Sequence, residues 1–140
     1  MNKPISTLMH GILDYVTAPT LLALPRMMGW SKTVTSLLTG AGVGVLSYSV
    51  MTRYELGLLK VLPMKAHLAI DMASGGMLAL SPLMLKKRER DVATTATLIG
   101  LGLYEIAAAL LTQTQSPIEQ AEGAFEIDTL TIDQLKPTAV

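Results

Sequence analysis

Four long runs of this chain carry almost no charge, and the charged residues gather between them. Residues 33–52 contain no charged side chain, residues 68–85 contain only Asp71, and residues 92–115 contain only Glu105. A further run, 5–24, is interrupted by His10, Asp14 and Pro19 and is otherwise apolar or small. None of the runs shows the charged face that a helix on the surface of a soluble bundle presents. Each is close to the length of about 20 residues that a helix needs to cross a hydrocarbon core about 30 Å thick. An Asp at the centre of such a helix costs roughly 2.5–3.5 kcal/mol, which several leucines at about −0.5 kcal/mol each offset. The pattern therefore predicts an all-α fold, a bundle of four transmembrane helices joined by short segments at 25–32, 53–65 and 86–91.

Composition points the same way. The chain has 140 residues, of which 50% are hydrophobic and only 16% charged, against roughly 25% charged in soluble domains. Eleven basic and eleven acidic residues cancel, so no field directs the chain to nucleic acid. The absence of cysteine excludes disulfides, thiolate metal sites, iron–sulfur clusters and covalent c-type haem together. The first run is not read as a signal peptide, because a single Lys3 precedes it and no Ala-x-Ala site follows. Beyond residue 115, Glu119, Glu122, Glu126, Asp128 and Asp133 face only Lys136. The division is thus a membrane domain at 1–115 and an acidic polar tail at 116–140. Phe125, Ile127, Leu130, Ile132 and Leu135 leave room for a short docked element in that tail, but none is assigned.

An internal repeat organises the apolar part. Shifted by 57 residues, His10-x-x-x-Asp14 overlies His67-x-x-x-Asp71, Ala18 overlies Gly75, Leu21 overlies Leu78, and Pro25 overlies Pro82. Shifted by 60, Thr39-Gly-Ala-Gly42 overlies Ile99-Gly-Leu-Gly102, and Thr52 overlies Thr112. The domain reads as two tandem helical hairpins, about 4–55 and 62–115, in the same orientation, with their symmetry axis along the membrane normal.

The repeated His-x-x-x-Asp, the small residues after it, Ala79-Leu-Ser-Pro82 and the connecting stretch from Thr52 to Pro63 resemble the SPW-repeat family of small bacterial integral membrane proteins. The resemblance covers about residues 5–85. Leu83 stands where the eponymous tryptophan would be, and the first copy has Leu24-Pro25-Arg26. What it implies is a multi-pass architecture in a bacterial cytoplasmic membrane; it implies no chemistry. Arg26, Lys32, Lys86, Lys87, Arg88 and Arg90 outnumber Lys3, Arg53, Lys60 and Lys65 across the membrane. That bias puts the 86–90 turn in the cytoplasm and both termini outside. The connection 54–64 reads equally as an interfacial amphipathic piece or as an ordinary loop.

Candidate chemistry concentrates in one layer of the bundle. At i, i+4 spacing His10 and Asp14 share a helix face, as do His67 and Asp71; Tyr48 and Glu105 fall late in their own runs, at similar depth. No Lys or Arg lies at that depth, so Asp14, Asp71 and Glu105 must be protonated, share protons with histidine or bind a cation. Bis-histidine b-type haem is one candidate. His10 and His67 would be its axial ligands, with Asp14 and Asp71 orienting the imidazoles. Gly40, Gly42, Gly44, Gly100 and Gly102 would leave room for the macrocycle, and Arg53, Lys60 and Lys65 would meet the propionates. The other candidate is a transition-metal ion such as zinc or iron on His10, His67, Asp14, Asp71 and Glu105. A cofactor-free hydrogen-bonded staple between the hairpins would use the same residues. Gly40-x-x-x-Gly44 is a small-residue pattern that lets helices approach, within a chain or between copies, so a homo-oligomer is expected, a dimer first. Tyr15, Tyr48 and Tyr54 read as interface anchors, and Pro19 as a kink in the first helix. No Gly-rich phosphate loop, nucleophile elbow or His-Glu-x-x-His is present, which argues against an enzyme. Three functions stay open. They are a cofactor-holding membrane protein for electron transfer or sensing, a cofactor-free structural or partner-binding module, and a proton or metal-ion carrier.

Overall fold

Short polar side chains start most of the helices in the computed structural model, which describes residues 3–135, with side chains through residue 128. Ser6 accepts the Met9 N–H and opens α1, Thr7–Met27. Ser31 accepts the Val34 N–H and opens α2, Lys32–Met51. Asp91 does the same through the Thr94 N–H for α4, Val92–Leu111. These caps satisfy N–H groups that the first helical turn leaves without partners. The third helix, α3 at Met64–Leu80, follows Pro63 and has no cap of its own. Its Met64 N–H instead meets Glu119 Oε1 at 2.9 Å.

Glu119 belongs to a fifth helix, α5 at Pro117–Leu135, in the stretch left unassigned by sequence. Its start is a capping box with proline at the first helical position. Ser116 Oγ accepts the Glu119 N–H, and Glu119 Oε2 accepts the Ser116 N–H. The stretch is acidic, yet locally it is a well-formed helix start. Short 3₁₀ turns at Ser81–Met84 and Lys87–Glu89 bridge α3 to α4. The segment between α2 and α3 is an irregular loop, not an amphipathic helix.

The helices pack as two hairpins, α1 on α2 and α3 on α4. Glycine sets both crossings. A Cβ at Gly42 would stand 2.8 Å from the Ala18 carbonyl oxygen and 3.1 Å from Leu21 Cβ. A Cβ at Gly102 would collide with the Gly75 carbonyl oxygen and come within 2.8 Å of Ala79 Cβ. Among the described residues, a Cβ at Gly40, Gly44 or Gly100 would meet nothing within 4 Å beyond its own stretch of helix. The close approach within the chain thus rests on Gly42 and Gly102, and the Gly40/Gly44 pair faces outward. Backbone bridges then tie hairpin to hairpin. The Ile5 N–H meets the Leu111 carbonyl and the Gln113 N–H meets the Ile5 carbonyl; the Arg53 N–H meets the Leu62 carbonyl.

Two apolar clusters fill the interior. Ala18, Leu21, Val34, Leu38, Val45, Leu78, Leu85 and Leu98 pack toward the 28–31 and 81–91 turns. Tyr54, Met64, Leu68 and Ala109 pack at the opposite end. Two helices, α2 and α4, are long and apolar enough to cross a membrane. Of the other two early helices, α1 holds Asp14, Pro19 and Pro25 within its length, and α3 has only 17 residues before it tightens into the Ser81 turn.

Candidate metal centre

His10 and His67 both sit in the first turns of their helices, at the end of the bundle where the two bridges lie. Both are fully buried. One turn further in, Asp14 and Asp71 lie on the same helix faces and are buried too. The rings meet edge to face with centroids 5.0 Å apart, and their Nε2 atoms are 3.1 Å apart. Asp71 Oδ2 is 3.0 Å from His10 Nε2 and 3.3 Å from His67 Nε2. Asp14 Oδ2 is 3.2 Å from His67 Nε2, and its Oδ1 is 3.5 Å from His10 Nε2.

The far side of each ring determines what those four groups can do. Thr52, just past α2, lies 2.6 Å from His67 Nδ1, and its hydroxyl donates to the Tyr48 carbonyl at 2.6 Å. Thr112, just past α4, lies 2.9 Å from His10 Nδ1, and its hydroxyl donates to the Ala108 carbonyl at 2.6 Å. A threonine hydroxyl has one proton. With that proton on the carbonyl, each Oγ1 accepts, so each Nδ1 carries hydrogen and donates. Both Nε2 atoms then present lone pairs to each other and to two carboxylates. Acceptors facing acceptors at this spacing in a buried site require positive charge among them, as protons or as a metal ion.

The carboxylates are steered as well. Tyr48 donates to Asp71 Oδ1 at 2.7 Å, and Ser49 donates to Asp14 Oδ2 at 2.9 Å. His10, Asp14 and His67 form a buried group able to hold a metal ion, their ligand atoms within 4.8 Å of one another. A metal with bonds of about 2.0–2.1 Å and near-tetrahedral angles separates its ligand atoms by roughly 3.3 Å. The two Nε2 atoms, 3.1 Å apart, and His67 Nε2 with Asp14 Oδ2, 3.2 Å apart, are near that spacing, while His10 Nε2 meets Asp14 through the other oxygen, Oδ1, at 3.5 Å.

Other sequence candidates lie elsewhere. Glu105 is buried and accepts from Ser74 at 3.1 Å, beside the group and outside it. Arg53 and Lys65 line an open cleft with Glu119 and Glu122. Arg53 donates to the Lys60 carbonyl and pairs with Glu122 at 3.4 Å, so its charge is turned to α5. The orienting partners of the imidazoles at Nδ1 are Thr52 and Thr112, where the sequence pointed to Asp14 and Asp71. The one sequence signal for the threonines is their match at a spacing of 60. Tyr48 and Tyr54 are not interface anchors: Tyr48 holds Asp71, and Tyr54 is fully buried. Tyr15 donates to the Leu56 carbonyl. Comparison of the chain with protein-family models, with curated proteins and with solved structures finds no match.

Proposed function

We propose that this chain is a four-span protein of a bacterial cytoplasmic membrane, built from two copies of one hairpin, that holds a transition-metal ion between them. Support for the membrane comes from the outer faces, where Val16, Met77, Leu80, Leu103 and Leu110 are exposed although apolar. The resemblance of residues 5–85 to the SPW-repeat family agrees with that architecture. The basic 86–90 turn is assigned to the cytoplasmic side. The outward Gly40 and Gly44 suit contact with a second copy.

One observation carries the metal reading. Two buried histidines, each held at Nδ1 by a threonine, turn both Nε2 atoms toward Asp14 and Asp71. Two histidines and a carboxylate suit zinc, iron or manganese. A hydrogen-bonded partner on the second ring nitrogen is what metal-bound histidine ordinarily has. An ion fits these distances better than a haem does. Two axial bonds of about 2.0–2.1 Å across a macrocycle need about 4 Å between the nitrogens, against 3.1 Å here. With iron, the centre would serve electron transfer or sensing.

The test is metal analysis and a visible spectrum of the detergent-purified protein. One equivalent of zinc, iron or manganese is expected, lost in both His10→Ala and His67→Ala. A Soret band would move the reading to haem. A colourless, metal-free protein that keeps its fold after both substitutions would leave a hydrogen-bonded staple.

A further inference from the structure

Tyr54 is the largest fully buried side chain in the described structure. Its ring is tilted against His67 with centroids 5.8 Å apart. The hydroxyl end lies over Gly11, the residue after His10. A Cβ at Gly11 would run into Tyr54 Cε2, so only glycine lets the phenol lie there. The turn that carries Tyr54 is fixed to α1 on both sides. Thr7 donates to Glu55 at 2.8 Å, and Tyr15 donates to the Leu56 carbonyl at 3.1 Å. Yet the Tyr54 hydroxyl is buried without a hydrogen-bond partner among the described residues.

That is costly in a protein. A buried polar group left unpaired costs about 1–3 kcal/mol, and Tyr54→Phe would remove the cost at no loss of packing. A phenol keeps its proton at neutral pH, its ordinary pKa being about 10, so Tyr54 is a donor. The Ser49 side chain, which adjoins the phenol, donates to Asp14 Oδ2 at 2.9 Å, so the hydroxyl belongs to the Asp14 side of the centre. His10, Asp14, His67 and Asp71 give an ion at most four ligands, and an octahedral ion such as iron or manganese would still have positions open.

We propose that Tyr54 donates a hydrogen bond to a small uncharged oxygen-bearing ligand, water at rest, bound to the ion on the Asp14 side of the histidine pair. The inference rests on the metal reading. A divalent ion is neutralised by Asp14 and Asp71, so an uncharged ligand adds no net charge to a buried site.

Nitric oxide, uncharged and oxygen-bearing, is the probe. The whole detergent-purified protein is loaded anaerobically with Fe(II) and titrated with nitric oxide, and the iron–nitrosyl is followed by EPR. The wild type should form the nitrosyl. Tyr54→Phe should take up Fe(II) equally well and bind nitric oxide about tenfold more weakly, the loss of one hydrogen bond. Equal affinity in the variant overturns the proposal, as does Fe(II) uptake with no nitrosyl in the wild type. Failure to take up Fe(II) overturns this inference, and failure to take up zinc and manganese as well overturns the metal reading. Should the variant not fold, proton ENDOR of the wild-type nitrosyl in H2O and D2O decides. One exchangeable proton hydrogen-bonded to the nitrosyl is expected, and its absence refutes the assignment.

Discussion

Positions 57 apart in α1 and α3 match in role: His10 with His67, Asp14 with Asp71, and Ala18 with Gly75 at the crossings. Positions 60 apart in α2 and α4 match only in part. Thr52 and Thr112 each fix one imidazole, but Tyr48 and Ser49 of the first hairpin have Ala108 and Ala109 as counterparts in the second. Both carboxylates are therefore held by α2, one by Tyr48 and one by Ser49. Tyr54 likewise follows α2, where the second hairpin has Thr114. The four buried histidine and aspartate side chains come equally from the two hairpins, and the groups that orient the carboxylates come from one. Equal ligands make a centre between two like elements; unequal support gives that centre a closed side and an open one.

The largest effect should come from the crossings on which the likeness of the hairpins depends. Gly102→Val drives a side chain into the Gly75 and Ala79 backbone and should cost about 3 kcal/mol or prevent folding. A Cβ at Gly44 meets nothing among the described residues, and Gly44→Val should stay within about 0.5 kcal/mol. Thermal unfolding in detergent checks both, and a Gly102→Val protein as stable as wild type would remove the crossing as a determinant. Next in size are the threonines. Thr52→Val and Thr112→Val keep shape but lose the acceptor at Nδ1, so each should weaken metal binding about 10–100-fold. The two losses should be similar. A strong loss in one and none in the other, by competition with a chelator, would break the symmetry of the ligand set.

How much of this could be read from the chain follows from what each signal depends on. Runs without charge located α2 and α4 to within a few residues. The same criterion started the third helix at 68, whereas it begins at Met64 and includes Lys65. A lysine at a helix end can lay its stem on apolar surface and keep its charge in water, so absence of charge marks the apolar span and not the helix. Ser116-Pro117-x-Glu119 was a complete local start signal for α5, masked by the acidity around it. The His-x-x-x-Asp pairs were legible because i, i+4 spacing and the repeat are properties of the sequence. The burial of Tyr54 was not, because it depends on the Thr52–Leu62 bridge folding the loop back over α1 and α3. The turn of Arg53 toward Glu122 needed α5 in place.

The smallest expected effect bears on the asymmetry most directly. Tyr48→Phe removes the donor to Asp71 Oδ1 and leaves the ring against His67, whose centroid is 4.9 Å away. Packing should then be kept, and stability should change by no more than about 1 kcal/mol. Asp71 approaches both Nε2 atoms through its other oxygen, so losing the donor frees the carboxylate to rotate. Metal affinity should fall about tenfold, the lower end of what a partner of a ligand contributes. Introducing a tyrosine at the matching place, Ala108→Tyr, should not restore it, because Ala108 already gives its carbonyl to Thr112 and its side chain lies in the packed wall of α4. If Tyr48→Phe binds metal as tightly as wild type, Asp71 needs no support from α2, and the unequal division between the hairpins has no consequence for the ion.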